Sequence, residues 1–130
     1  MQHPKELSKL SQEAFAHWVP EARRVREAVF RFAGAKGAVR VKRAKSTANQ
    51  IQVWRREPIV LHVPPDQGAE RWYVLPVDWQ LERAREGNAQ HALDARVCMS
   101  VQTSAIPKKL IVEPTNLNEA CIKALRAINP

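Results

Sequence analysis

Glycine and cysteine are scarce in this chain, and their scarcity closes several routes to function. The four glycines are too few and too dispersed to form a loop that cradles phosphates with backbone N–H groups. The two cysteines, Cys98 and Cys121, lie far apart and match no C-x-x-C spacing, so neither a zinc site nor a disulfide framework is expected and both read as reduced thiols. The histidines, His3, His17, His62 and His91, are scattered, with none in an H-E-x-x-H or H-x-E setting, and no serine or cysteine sits in a nucleophile motif. Asp66, Glu70 and Asp78 flank one expected strand and are the nearest approach to a Mg²⁺-binding carboxylate set. Asp66 reads better as a turn residue and Asp78 as a helix cap. The expectation is a protein that is not an enzyme and carries no cofactor or metal. The N-terminal residues lack the apolar core of a signal peptide and no run approaches the ~20 apolar residues of a membrane span, so the cytoplasm is expected and a membrane is not.

Positive charge, by contrast, is abundant and segregated. Residues 21–56 hold eleven Lys or Arg against two Glu, a local +9, while the whole chain carries +8. Residues 1–20 are balanced and residues 57–130 sum to −1. A basic face for a polyanion is implied, rather than a protein that is basic throughout. At 130 residues, 45% of them hydrophobic, the chain suits one domain over 1–130 with its own core.

Periodicity predicts an α+β fold with two N-terminal helices, an antiparallel β-meander of four or more strands and a C-terminal helix packed on the sheet. Leu7, Leu10, Ala14, Phe15 and Trp18 recur at helical spacing over residues 5–19. After Pro20 a second helix is expected, with Val25, Ala28, Val29, Phe32 and Ala33 as its buried stripe and its arginines facing solvent. The period then falls to two. Val39 and Val41, followed after a polar link by Ile51 and Val53, predict a hairpin in which Val41 faces Val53 and Arg40 faces Trp54. Further strands are expected at residues 59–63, 71–75, 96–102 and 109–113, and a helix from Asp78 to about residue 86. Alternation puts Trp72 and Val74 on one face of its strand and Tyr73 and Leu75 on the other, so that strand is expected to be central and covered on both sides. Residues 90–94 are ambiguous. Asn116 with Glu119 resembles a capping box for a last helix that buries Leu117, Cys121, Ala124, Leu125 and Ile128.

If Val39, Val41, Ile51 and Val53 face the core, the other side of the hairpin gathers Arg40, Lys42, Gln50, Gln52, Trp54 and Arg56. His62, on the polar phase of the next strand, extends that surface. Cations beside an aromatic ring suit single-stranded nucleic acid, with Trp54 stacking on a base. A duplex gripped by a two-stranded ribbon is a second geometry. The competing reading of Trp54 buries it under the N-terminal helices. The candidate nucleic-acid contacts are Arg23, Arg24, Arg26, Arg31, Lys36, Arg40, Lys42, Arg43, Lys45, Trp54 and Arg56. An acidic protein would reward the same cations, so an adaptor or inhibitor docking on an acidic partner is the alternative. Pairing of two copies through the N-terminal helix remains open.

Overall fold

Two polar side chains decide how the first helix lies. In the computed structural model, which describes residues 4–87 and 98–130, α1 (Pro4–Trp18) buries Ser11, Gln12 and Phe15, while Leu10 and Trp18 remain 43% and 40% exposed. The expected apolar stripe is therefore rotated. Ser11 Oγ lies 2.8 Å from His62 Nδ1, and Gln12 Oε1 accepts the Ala28 N–H at 3.0 Å. Both partners are buried, and a buried polar group left without one costs roughly 1–3 kcal/mol, enough to turn a marginal apolar stripe.

The expected second helix is absent. Residues 23–31 instead form a hairpin of β1 (Arg23–Arg26) and β2 (Val29–Arg31). Ala28, placed in the buried helical stripe by periodicity, adopts φ 66°, a left-handed conformation that no helix interior accommodates. Its N–H is held by Gln12, and its carbonyl accepts the Val41 N–H at 2.7 Å. Val29, Phe30 and Phe32 are buried while Val25 and Ala33 are exposed, and β-branched and aromatic residues of this kind favour a pleated surface.

A five-stranded sheet runs in the order β1-β2-β3-β5-β6, with β3 at Ala38–Arg43, β5 at Ile59–Val63 and β6 at Arg71–Leu75. Its pairs are antiparallel except β3 with β5, which is parallel. The simple meander is thus corrected, and so is the expected hairpin between residues 39–41 and 51–53. β4 (Asn49–Gln52) leaves the sheet and pairs with β7 (Cys98–Val101) in a separate two-stranded ribbon. Val41 lies beside Val60 rather than Val53, and Arg40 beside Ile59 rather than Trp54. All five residues of β5 are buried, whereas β4 alternates buried and exposed. The strand covered on both faces belongs inside the sheet and the alternating one on an outer layer. Asn49 secures the second arrangement: its Nδ2 donates to the Val101 carbonyl at 3.0 Å and to Thr103 Oγ1 at 3.2 Å.

Both faces of β6 are covered, as alternation predicts, but the strand lies at the edge of the sheet rather than its centre. The expected strand at 109–113 contracts to a single bridge from Ile111 to Tyr73 and a Val112 N–H bond of 2.8 Å to the Trp72 carbonyl. One core packs α1 and α3 (Leu117–Ile128) on the first sheet face, around Phe15, Phe30, Val39, Val60 and Trp72. A second core fills the opposite face under β5 and β6, where α2 (Val77–Gly87), β4 and β7 cover Ile59, Leu61, Tyr73 and Leu75. The ambiguous residues 90–94 lie outside the described residues.

The C-terminal helix sits on the sheet as expected, burying Leu117, Cys121, Ala124 and Leu125, while Ile128 stays 37% exposed. Asn116 makes no side-chain capping bond, so the capping box does not form; a turn at Pro114–Asn116 leads into the helix instead. Gly37 allows the helix to approach, since at its φ of 91° a Cβ would meet Asn129 Nδ2 at 3.0 Å and Leu125 Cδ2 at 3.3 Å.

His62 joins these layers. Its Nε2 lies 3.0 Å from Glu70 Oε2, and its ring stacks on Trp72 at 4.1 Å between centroids. Replacing it with alanine (His62→Ala) removes a packed ring and strands the Ser11 hydroxyl, so chemical denaturation should show a loss of about 2–4 kcal/mol.

Candidate functional site

Because β4 is displaced onto the outer layer, an open cleft separates it from β3. Alternation along β3 points Val39 and Val41 into the core beneath α1, leaving Arg40 and Lys42 on the opposite face. β4 presents Gln50 and Gln52 from the facing wall, and Leu7 and Ser8 of α1 reach the rim. The resulting cavity has a volume of about 840 Å³. Arg40, Lys42, Arg43, Lys45 and Arg55 line it against the carboxylates of Glu27 and Glu57.

Some of these cations are neutralised and some are not. Arg40 Nε lies 3.3 Å from Glu57 Oε1, and Arg26 approaches the other oxygen of Glu57 at 3.9 Å. Gln80, buried on α2, anchors this pair by donating to the Glu57 carbonyl at 3.0 Å and the Leu75 carbonyl at 2.9 Å. Arg43 pairs with Asp66 at 3.4 Å. No carboxylate among the described residues lies within ion-pair distance of Lys42 or Lys45. Lys42 is half-buried, and burial, followed by the charges of Lys45 and Arg40, holds its ammonium below the usual value of 10.5. Cys98 on β7 opposes that shift.

The basic surface continues outward. Cross-strand register puts Arg23 beside Arg31, and Arg26, Val29 and Arg40 in one row, so these arginines share the sheet face onto which the cleft opens. Arg24 is in register with Phe30 and Val39, on the helix-covered face. Lys36 stands in the loop after β2, where its carbonyl accepts from Asn129 Nδ2 at 3.3 Å, away from the cleft. Arg56 ends the short turn Val53–Arg55 with φ 49° and is exposed, but it does not line the cavity. Trp54 belongs to that turn, and its side chain lies outside the described residues. His62 does not extend the surface: it is buried beneath α1.

Sequence periodicity expects Arg40, Lys42, Gln50 and Gln52 on one face of a hairpin; they instead line one cavity from two different sheets. It missed Arg55 and Glu57. A helical turn after β4 selects Arg55 over Arg56, and nothing in an Arg-Arg pair signals that choice. The carboxylates flanking β6 have separate partners: Asp66 with Arg43, Glu70 with His62, and Asp78 with the Trp79 N–H at 2.8 Å. The chain Ser11–His62–Glu70 resembles a nucleophile, imidazole and carboxylate, but the Ser11 side chain is wholly buried, and the bonds fasten α1 to β5. Among the described residues, no group of three or more metal-ligating side chains is present and no helix is long and apolar enough to cross a membrane. Comparison with known proteins finds no matching family model, no matching curated protein and no matching solved structure.

Lys42 is costly to the free protein, so Lys42→Met should stabilise it at neutral pH by about 0.5 kcal/mol, a small gain because solvent screens a half-buried charge. The folded value lies below the unfolded one, so the unfolded chain holds this proton to higher pH and stability rises with pH between the two values. Thermal melts across the alkaline range should show that rise in the wild type and its absence in Lys42→Met.

Proposed function

We propose that this chain is a non-enzymatic nucleic-acid-binding protein that takes phosphates into the cleft between β3 and β4, with the arginines of β1 and β2 along the approach. Lys42 carries the reading. A half-buried ammonium without a carboxylate partner among the described residues, set beside Lys45 and Arg40, is an unfavourable arrangement in the free protein. Phosphate oxygens supply the missing counter-charge, and each phosphate held releases condensed cations from the nucleic acid. Gln50 and Gln52 add donors and acceptors on the opposite wall, where base edges are read by hydrogen bonds. Arg23, Arg31, Arg26 and Arg40 share one sheet face, which suits an extended charged ligand better than a compact one.

A second reading has its own support. Among the described residues β1 is an edge strand paired only with β2, and all four of its residues are exposed, three of them arginines. An extended acidic segment of another protein could add to that edge as a further strand, with main-chain bonds for affinity and carboxylates for the arginines.

Anisotropy titrations of labelled DNA and RNA over a range of salt separate the two. The nucleic-acid reading expects log K to fall linearly with log salt. The Lys42→Ala, Lys45→Ala double variant should flatten that slope by about 1.5, from roughly 0.7–0.9 per phosphate. Absence of binding to any nucleic acid at low salt, with retention of an acidic polypeptide, transfers the function to the β1 edge.

A further inference from the structure

A second cavity lies on the other side of the loop at residues 45–48. Its volume is about 1140 Å³, and Lys45, Ser46, Thr47 and Gln67 line both cavities. Arg71 and Lys108 contribute two more cations there, with Gln102, Thr103 and Ser104 as polar neighbours. Among the described residues Asp66 is the only carboxylate in this lining, and it is paired with Arg43. Arg71 donates to the Tyr73 hydroxyl at 3.3 Å and to the Ala69 carbonyl at 3.0 Å, contacts that orient the guanidinium without neutralising it. Neither residue belongs to the basic segment 21–56.

We infer that the ligand is a single strand of nucleic acid that lies in the first cavity, crosses the 45–48 loop and continues into the second. This rests on the nucleic-acid reading and narrows it. A duplex carries its phosphates on a convex surface and is read by elements that protrude into grooves about 12 or 6 Å wide. Here Lys42, which has no carboxylate within ion-pair distance among the described residues, is half-buried in a cavity also lined by β4 and the start of α1, so a duplex would have to enter the protein rather than the reverse. A single strand bends into such a recess and turns its bases outward from its phosphates. The cavity offers both surfaces: cations from β3, and the amides of Gln50 and Gln52 beside Ile51 and Ile59. Lys45 at the common wall supplies a cation at the crossing. Asn49 Oδ1 accepts the Lys45 N–H at 2.8 Å and Gln67 Nε2 donates to the Ala44 carbonyl at 2.9 Å, so the crossing point is fixed to the scaffold before the strand arrives.

The experiment compares an unstructured DNA strand of about 12 nucleotides, within the usual range of single-strand site sizes, with its duplex in anisotropy titrations at several salt concentrations. The strand should bind about tenfold more tightly than the duplex. Arg71→Ala with Lys108→Ala should flatten the salt slope for the strand by about 1.4, since each single-strand phosphate contact contributes about 0.7. Lys108→Ala alone, an exposed side chain, should remove about half of that and guards against a folding defect in the double variant. Cys98 reports on the first cavity, because its Sγ lies 3.5 Å from Gln50 Oε1. Cys121 is buried with its thiol pushed up to about 12, so a thiol reagent reads Cys98 alone in the folded protein. The bound strand should slow that reaction. Equal or tighter duplex binding overturns the inference and leaves the nucleic-acid reading standing. So does strand binding that neither protects Cys98 nor responds to loss of Arg71 and Lys108. Failure of both DNA forms and of the matching RNA strand to bind at low salt removes the reading on which the inference rests.

Discussion

Parallel pairing of β3 with β5 is the constraint on which the cleft depends, because it occupies the edge of β3 that β4 would otherwise take. The chain between them must leave the sheet and return, and residues 44–58 make that excursion with β4 and one short helical turn. A parallel connection needs a dozen or more residues and is most often a helix. Here the regular part is a four-residue strand and one short helical turn, and that strand satisfies its backbone against β7. β4 therefore faces β3 across a gap. The cations of β3 line the recess between the sheet and that outer strand.

Burial on the two sheet faces is unequal, and the inequality places the charge. α1 and α3 close the first face, from Phe30 across to Trp72. On the second face the outer layer covers β5 and β6, and stops at β3. The remaining half, under β1, β2 and β3, carries Arg23, Arg31, Arg26, Arg40 and Lys42. Val29 lies buried on this face, in register between Arg26 and Arg40. Glu57, held by Gln80, neutralises part of this surface at one point, beside Arg40 and Arg26. Among the described residues it leaves Lys42 and Lys45 without an ion-pair partner, and burial together with the neighbouring charges of Lys45 and Arg40 disfavours the Lys42 ammonium in the free protein.

Residues buried for their polarity explain most departures from the pattern of the sequence. Ser11 and Gln12 rotate α1 because His62 and the Ala28 N–H need partners. Asn49 fixes β4 to β7 and the 45–48 loop to both. Each bond joins residues that are distant along the chain, so no local window contains both partners. Hydrophobic periodicity treats all of these positions as solvent-facing. The same blindness put His62 on the exposed surface and left its stacking on Trp72 unseen.

The segregation of charge into residues 21–56 needed no structure, because it is a property of composition along the chain. Local signals also sufficed for helical period in α1 and α3, for alternation in β3, for the proline and turn residues that bound β5 and β6, and for Asp78 at the start of α2. Alternation set Arg40 and Lys42 opposite the buried Val39 and Val41, and Gln50 and Gln52 opposite Ile51, since the side-chain period of a strand is two whatever it pairs with; that the two sets meet across a cleft came from the tertiary structure. Tertiary structure decided the rest: that residues 23–31 form a hairpin, that β3 takes β5 and not β4, and that Arg55 rather than Arg56 turns into the cleft. These are outcomes of competition between strands for buried positions and between polar groups for partners. Such competition is settled by contacts across the whole chain, so a basic segment visible in the sequence became a basic cleft only on folding.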